Sequence, residues 1–184
     1  MTTDLVLRAQ AGDGDAFDAL IRAAYDRLFA AAYRIVRDRG GAEDAVQDAG
    51  VRCWRNLRGL REPERFEAWL YRLLVNACRD QARKVRRRPR VVSDALPDVA
   101  APSDAYAGLA EHDALERAFL TLSPDHRIAL ALVHYVGYSA PEAADILGVP
   151  VGTVYSRIHY GARAMRDALS PGAAVQPATT ESMR

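Results

Sequence analysis

The sequence predicts an all-α protein built from two small helical domains joined by a flexible linker. Apolar residues recur at steps of three and four over long stretches, which places them on one face of a helix. The sequence shows no stretch with the apolar and polar alternation of a half-buried strand. A segment that contains three prolines and reversed charge separates two helical stretches.

Composition bounds the class of protein. A chain of 184 residues with 49% hydrophobic content can form one medium or two small packed domains. The sequence has no apolar run long enough to cross a bilayer and no signal-peptide pattern after Met1, so we expect a cytoplasmic protein without membrane insertion. Cys53 and Cys78 lack the spacing of metal ligands, so we expect free buried thiols.

Charge is segregated along the chain, although the formal net charge is only +1. Residues 79–90 carry seven cationic side chains against one aspartate. Residues 91–116 contain no Lys or Arg and six acidic residues. This reversal, with Pro89, Pro97 and Pro102, indicates a domain edge. We predict domains at 1–88 and 109–170, a linker at 89–108 and a disordered tail at 171–184.

The linker also predicts how freely the two domains can move apart. Twenty residues span at most roughly 60 to 70 Å when stretched, which is enough to let two small domains sit far apart on a partner.

Three helices are predicted in the first domain. The stripe of the first is Phe17, Ile21, Ala24, Leu28, Ala31 and Ile35, and Arg39-Gly40-Gly41 ends it. The second runs from about Glu43 to Asn56, with Val46, Ala49, Cys53 and Leu57 facing inward. The third begins near Pro63, ends before Pro89 and has the stripe Phe66, Leu70, Leu73 and Ala77.

The second domain contains a helix-turn-helix pattern. Leu115, Phe119 and Leu122 suggest one helix, and Pro124 to Tyr135 a second. Two more follow from Ser139, which forms a capping box with Glu142. Ala144 allows a close helix approach, Gly148 supplies the turn and Val154 returns to the core, a spacing typical of helix-turn-helix motifs.

The last helix has a polar, partly cationic outer face. Val154, Ile158, Ala162 and Met165 face inward, and the other faces carry Thr153, Tyr155, Ser156, Arg157, His159, Tyr160 and Arg163. Such a face suits phosphates and base edges, and Arg157 is the first choice for a contact. A plain three-helix bundle with a solvated face is the alternative.

These segments resemble a known family. Residues 12–57, GDGDAFDALIRAAYDRLFAAAYRIVRDRGGAEDAVQDAGVRCWRNL, followed by RFEAWLYRLLVNACRDQARKVRRR, resemble region 2 of extracytoplasmic-function (ECF) sigma factors. The segment LERAFLTLSPDHRIALALVHYVGYSAPEAADILGVPVGTVYSRIHYGARAMRDAL is similar to their region 4. The resemblance implies a sigma factor that binds core RNA polymerase and directs promoter-specific initiation.

By this resemblance, the two regions contact different partners. Asp44, Gln47 and Asp48 are expected to face the clamp helices of the largest polymerase subunit, and region 4 the polymerase flap. Acidic residues in a first helical turn also favour the positive end of the helix dipole, so stability alone is the alternative for Glu43 and Asp44. Region 4 implies recognition of the duplex minus-35 element, with an altered preference where Tyr155, Tyr160 and Gly161 depart from the family.

The resemblance assigns the minus-10 element, in duplex and melted form, to the third helix. The residues implied there are Trp69, Arg72, Asn76, Arg79, Asp80 and Arg83. Asn76 matches the position that lines the pocket for a flipped base, whereas Trp69 could equally belong to the core. Asp80 either accepts from a cytosine amine or orders the arginines around it. Arg86, Arg87 and Arg88 are expected to hold phosphates.

Two other classes of protein were weighed. The sequence lacks a nucleophile elbow, a phosphate-binding loop and spaced metal ligands, so we expect neither an enzyme nor a bound cofactor or metal. The stronger rival is a free-standing helix-turn-helix regulator that binds operator DNA as a dimer. By resemblance, the chain is also expected to be restrained by an anti-sigma factor.

Overall fold

The computed structural model describes residues 2–87 and 114–170, and it contains only helices and turns in these ranges. The all-α prediction is therefore confirmed. The first unit comprises α1 (Thr2–Gln10), α2 (Gly14–Val36), α3 (Arg39–Asn56) and α4 (Phe66–Arg87), with 3₁₀ turns at Leu57–Gly59 and Pro63–Arg65. The second comprises α5 (114–120), α6 (Pro124–Leu130) with a π-helical extension at Ala131–Val136, α7 (Ala140–Leu147) and α8 (Val151–Leu169). The predicted linker (89–108) and tail (171–184) lie outside the described residues.

The stripes predicted for the first unit form its core. Leu28 and Ile35 of α2, Cys53 of α3 and Leu70 of α4 are fully buried, as expected. Phe17, Ile21 and Leu73 lie half-buried at the edge of this core. The sequence analysis missed α1, which buries Val6 and Ala9.

The boundary between α2 and α3 differs from the prediction. Arg39-Gly40-Gly41 does not end a helix but forms the first turn of α3. The chain reverses at Arg37 (φ 63°), and the Asp38 carboxylate caps α3 by accepting from the Gly41 N–H at 2.6 Å. A Cβ at position 41 would lie 2.9 Å from Val36 Cγ1. Glycine is therefore required by this close approach and not by a helix end.

The second unit confirms the helix-turn-helix pattern. The capping box is complete, because Ser139 Oγ accepts from the Glu142 N–H and the Glu142 carboxylate accepts from the Ser139 N–H at 2.8 Å. Gly148 ends α7 in the left-handed region (φ 65°), where a side chain would be strained. Val154 of α8 is fully buried, whereas Ile158, Ala162 and Met165 are half-buried.

The two units pack directly against each other, an arrangement that the sequence analysis did not predict. The Tyr71 ring of α4 meets the Tyr138 ring edge-on, with centroids 5.5 Å apart. The Arg34 guanidinium lies 4.1 Å from the centre of the Tyr135 ring. Arg37 forms an ion pair with Glu116 of α5. The two units are therefore in contact in this structure, although a linker of this length would let them sit far apart.

No described helix combines the length with the hydropathy that a membrane span requires.

Candidate nucleic-acid interface

The outer face of α4 carries a row of polar and cationic side chains. Arg72, Asn76 and Arg83 are exposed, and Arg79 and Asp80 are half-buried beside them. Steps of three and four along one helix give these residues a shared face. Trp69, one turn before Asn76, is half-buried with its ring 6.2 Å from that of Phe66. Trp69 thus packs at the edge of the core while staying next to the polar row.

Arg72 is bound by the second unit. Its Nε donates to the Ile146 carbonyl at 3.2 Å, and its Nη2 donates to the Asp145 carbonyl. Both carbonyls belong to the last turn of α7, where the helix dipole is negative and favours a cation. Arg65 also reaches this turn, with Nη2 3.3 Å from the Asp145 carboxylate. The end of α7 therefore binds Arg72, although the Arg72 side chain stays exposed.

Arg79 and Arg157 share one carboxylate. Arg79 Nη2 lies 3.4 Å from Asp125 Oδ1, and Arg157 Nη2 lies 3.1 Å from Asp125 Oδ2. Arg79 belongs to α4 and Arg157 to α8, while Asp125 stands in the first turn of α6. Arg157 was expected on an open face of α8, but its side chain is only 19% exposed. This low exposure follows from the contact with Asp125, a residue distant in sequence.

Asp80 faces α3. Arg52 Nη2 donates to Asp80 Oδ2 at 2.9 Å and to Asp48 Oδ2 at 2.6 Å, and Arg83 Nη1 lies 3.5 Å from Asp80 Oδ1. The hydrogen bond that Arg52 donates to Asp80, and next the one that it donates to Asp48, raise the pKa of the Arg52 guanidinium. Of the two roles considered for Asp80, these contacts favour the ordering of arginines.

The acidic face of α3 is accessible. Asp44 and Gln47 are exposed, and Asp48 is half-buried by its pair with Arg52. Gln47 and Asp48 lie three and four residues after Asp44, so both are its neighbours on one side of α3. This side is available for a partner.

The outer face of α8 is mainly neutral and aromatic. Tyr155 and Tyr160 are 59% and 57% exposed. His159 meets the Tyr160 ring edge-on at 5.4 Å, and Ser156 Oγ donates to the Thr153 carbonyl at 3.0 Å. Thr153 is half-buried, whereas Ser156, His159 and Arg163 are exposed.

The three predicted phosphate contacts stand at the end of the first described range. Arg86 and Arg87 belong to the last turn of α4. Their side chains, and all of Arg88, lie outside the described residues.

Sequence reasoning missed two residues of this interface, Asp125 and Arg52. Asp125 follows Ser123-Pro124, a helix start at which an acidic residue is ordinary, so the sequence carries no signal for its long-range partners. Arg52 could have been identified from its position four residues after Asp48, which is the spacing of an ion pair along a helix.

The described residues offer no cluster of three His, Cys, Asp or Glu side chains suited to a metal ion. Burial raises the pKa of both Cys53 and Cys78 to about 12, so neither thiol is activated.

The fold is that of an all-helical protein with two units, the second of which carries a helix-turn-helix, and comparison with known proteins specifies the family. Sigma-70 region 2 matches residues 20–88, and Sigma-70 region 4 matches residues 112–165. The ECF RNA polymerase sigma factor SigM of Mycobacterium tuberculosis is 35% identical over 84% of this chain and 77% of its own length. SigE of Mycolicibacterium smegmatis is 36% identical over 84% of this chain, which spans 62% of that relative's length.

A solved sigma factor structure is also similar to this chain. The sigma factor RpoE of Bartonella quintana, determined in complex with the anti-sigma factor NepR, superimposes with a TM-score of 0.65. The two sequences are 27% identical, and the match covers 83% of this chain and 96% of that one. The chain belongs to the sigma-70 family of RNA polymerase sigma factors and to its ECF group.

Proposed function

We propose that this chain binds core RNA polymerase and directs it to promoters, with the first unit (1–88) on the minus-10 element and the second (109–170) on the minus-35 element. The observation that carries this proposal is the presence of both family regions, in order, on two units that each present an arginine-bearing helix face. The polymerase supplies the catalysis, and the chain works beside it in the cytoplasm.

Docking is assigned to two surfaces. The exposed side of α3, with Asp44 and Gln47 at its centre and Asp48 at its edge, faces the clamp helices of the largest subunit. Region 4 contacts the polymerase flap. Exposed carboxylates and an amide suit a partner surface that carries cations, since such pairs steer association and fix orientation.

The α4 face is assigned to the minus-10 element. Opening a duplex without ATP requires that extruded bases regain hydrogen bonds, stacking and phosphate neutralisation elsewhere. Asn76 offers an amide that can both donate to and accept from a base edge. Arg72, Arg79 and Arg83 supply charge on the same face, and the half-buried Trp69 lies next to it. Arg86, Arg87 and Arg88 are assigned, by the family resemblance, to phosphates and not to bases.

Asp80 is assigned a positioning role. Its carboxylate accepts from Arg52 and lies near Arg83, so it orders the cations beside the DNA.

The α8 face is assigned to the minus-35 duplex. Thr153, Ser156 and His159 can exchange hydrogen bonds with base edges, and Arg157 and Arg163 can bind phosphates or guanine. Exposed Tyr155 and Tyr160 offer apolar rings that can contact thymine methyl groups in the major groove. We therefore expect a minus-35 preference that depends on these two rings.

The matched Bartonella protein was solved with an anti-sigma factor, and we propose that this chain is restrained by one as well.

The test is reconstitution. The purified chain is mixed with sigma-free core polymerase and a library of promoter fragments, and comigration and transcript starts are measured. We expect a stable complex and defined start sites. A chain that binds duplex DNA as a dimer but neither joins the polymerase nor selects start sites is an operator-binding regulator, the rival class that the family comparison does not favour.

A further inference from the structure

We propose that Asp125 latches the free chain in a closed state that excludes promoter DNA, by holding one promoter-contacting arginine from each unit. This inference rests on the proposed function of α4 and α8, and it adds a regulatory contact within the chain itself. It assigns a role to an acidic residue that contacts neither DNA nor polymerase in that proposal.

The geometry of the latch uses both oxygens of a single carboxylate. Oδ1 accepts from Arg79 of α4 at 3.4 Å and Oδ2 from Arg157 of α8 at 3.1 Å. The two arginine side chains are only 24% and 19% exposed, although both belong to the faces assigned to DNA. One residue therefore joins the minus-10 helix to the minus-35 helix.

A second contact works in the same direction. Arg72 donates two hydrogen bonds to carbonyls in the last turn of α7, so a third promoter-contacting cation is occupied. A guanidinium engaged by a carboxylate or a carbonyl cannot present the same N–H groups to a phosphate or to guanine. The closed arrangement therefore competes directly with DNA.

The latch is weak enough to open. Asp125 is 48% exposed, so water and salt screen its two ion pairs. Arg157 Nη1 is buried with no hydrogen-bond partner among the described residues, which reduces the gain from closure. A contact of this strength holds the free chain and yields when the polymerase and promoter bind both units.

Asp125 also has a plain structural explanation, because an acidic residue in the first turn of α6 complements the helix dipole. The two explanations differ in what they predict for the Asp125→Asn variant. A dipole role lowers the thermal stability of the second unit and leaves the distance between the units unchanged. A latch changes that distance.

The experiment measures this distance in the full chain without polymerase. Fluorophores are attached at Ala23→Cys in α2 and Ala168→Cys in α8, two exposed positions. Native Cys53 and Cys78 are buried with strongly raised pKa values, so labelling is selective. The same proteins are titrated with a labelled mixed-sequence duplex at low salt.

The matched control is Asp18→Asn. It removes the same charge from an exposed carboxylate whose ion pair, with Arg22, lies within α2. We expect Asp125→Asn to lower the energy transfer and to bind the duplex roughly three- to tenfold more tightly, as two charge-assisted contacts of partly exposed groups imply. We expect Asp18→Asn to match the parent protein in both measurements. If Asp125→Asn does not fold, Asp125→Ser keeps an oxygen in the first helical turn and replaces it.

Unchanged energy transfer in Asp125→Asn overturns the latch, and so does an equal gain in DNA affinity in both Asn variants. Neither outcome touches the proposed function, which is decided by reconstitution with polymerase. Conversely, a variant that opens as expected supports the latch even if the chain fails to join core polymerase.

Discussion

At the scale of single residues, Asn76 is the side chain on which promoter melting most depends in this account. It is exposed on α4 and flanked by cations, so it is free to meet an extruded base. Its neighbours neutralise phosphates in any sequence, whereas an amide can distinguish base edges. Specificity for the minus-10 element should therefore depend on this position.

We expect Asn76→Ala to reduce promoter opening roughly tenfold, in keeping with the loss of one base-edge contact. Affinity for core polymerase should not change, because the α3 face is intact. Opening is followed by the fluorescence of 2-aminopurine placed in the minus-10 element. Asn56→Ala, which removes the other asparagine of the chain, is the control. Equal losses in the two variants would rule out a base contact by Asn76.

Arg52 illustrates a residue whose role became visible only in the structure. It bridges Asp48 and Asp80, and all three side chains are 35–40% exposed. We expect Arg52→Gln to lower the free energy of unfolding by about 1 kcal/mol, since two partly screened pairs are lost. Arg22→Gln, which breaks the more exposed pair with Asp18, should have almost no effect. Urea denaturation measures both, and similar losses would contradict a special role for Arg52.

At the scale of elements, much of the fold was predictable because each helix carries a local signal. The α2 stripe, the capping box of α7, Gly148 and Val154 were all confirmed, since periodicity and capping act within a few residues. The end of α2 was predicted wrongly. Glycine usually marks a helix end, but here it relieves a close approach to Val36, which is a tertiary requirement. Helix α1 was missed because only two of its residues, Val6 and Ala9, are buried.

The capping box should impose a pH dependence on α7. Hydrogen bonds from Ser139 lower the pKa of the Glu142 carboxyl below its ordinary value of 4.5. A lowered pKa adds stability that is present above the unfolded-state value and is lost as pH falls through the folded-state value. We expect Glu142→Gln to be less stable than the parent near neutral pH, and the difference to vanish in the acid range below 4.5. Urea midpoints across pH test this, and a difference that persists in acid would contradict it.

Gly161 sets the spacing between α8 and α6. A Cβ there would lie 3.0 Å from Leu130 Cδ1 and 3.4 Å from His126 Cβ, whereas one at Gly50 in α3 would meet no atom within 4 Å. We expect Gly50→Ala to raise the free energy of unfolding by about 1 kcal/mol through helix propensity. Gly161→Ala should lower it, because overpacking outweighs the same gain. Equal stabilisation by both changes would contradict this, because it would show that α6 can shift to make room for the added methyl group with no loss of stability.

At the scale of the whole molecule, the sequence predicted two units but not their contact. The contacts that join them, such as Asp125 with Arg79 and Arg157, connect residues 46 and 32 positions apart. No local pattern encodes such a pair, because each residue also has an ordinary explanation within its own helix. The sequence therefore predicted candidate site residues, whereas the carboxylate that Arg79 and Arg157 share became visible only in the structure.

The central claim is that the two units hold different promoter elements on the same polymerase. Photo-crosslinking amino acids placed at Arg83 in α4 and at Ser156 in α8 test it most directly, in the complex of the full chain with core polymerase and a cognate promoter. The account predicts that the α4 probe crosslinks to the minus-10 element and the α8 probe to the minus-35 element of one DNA molecule. Crosslinks from both probes to a single element, or to DNA only when polymerase is absent, would contradict it.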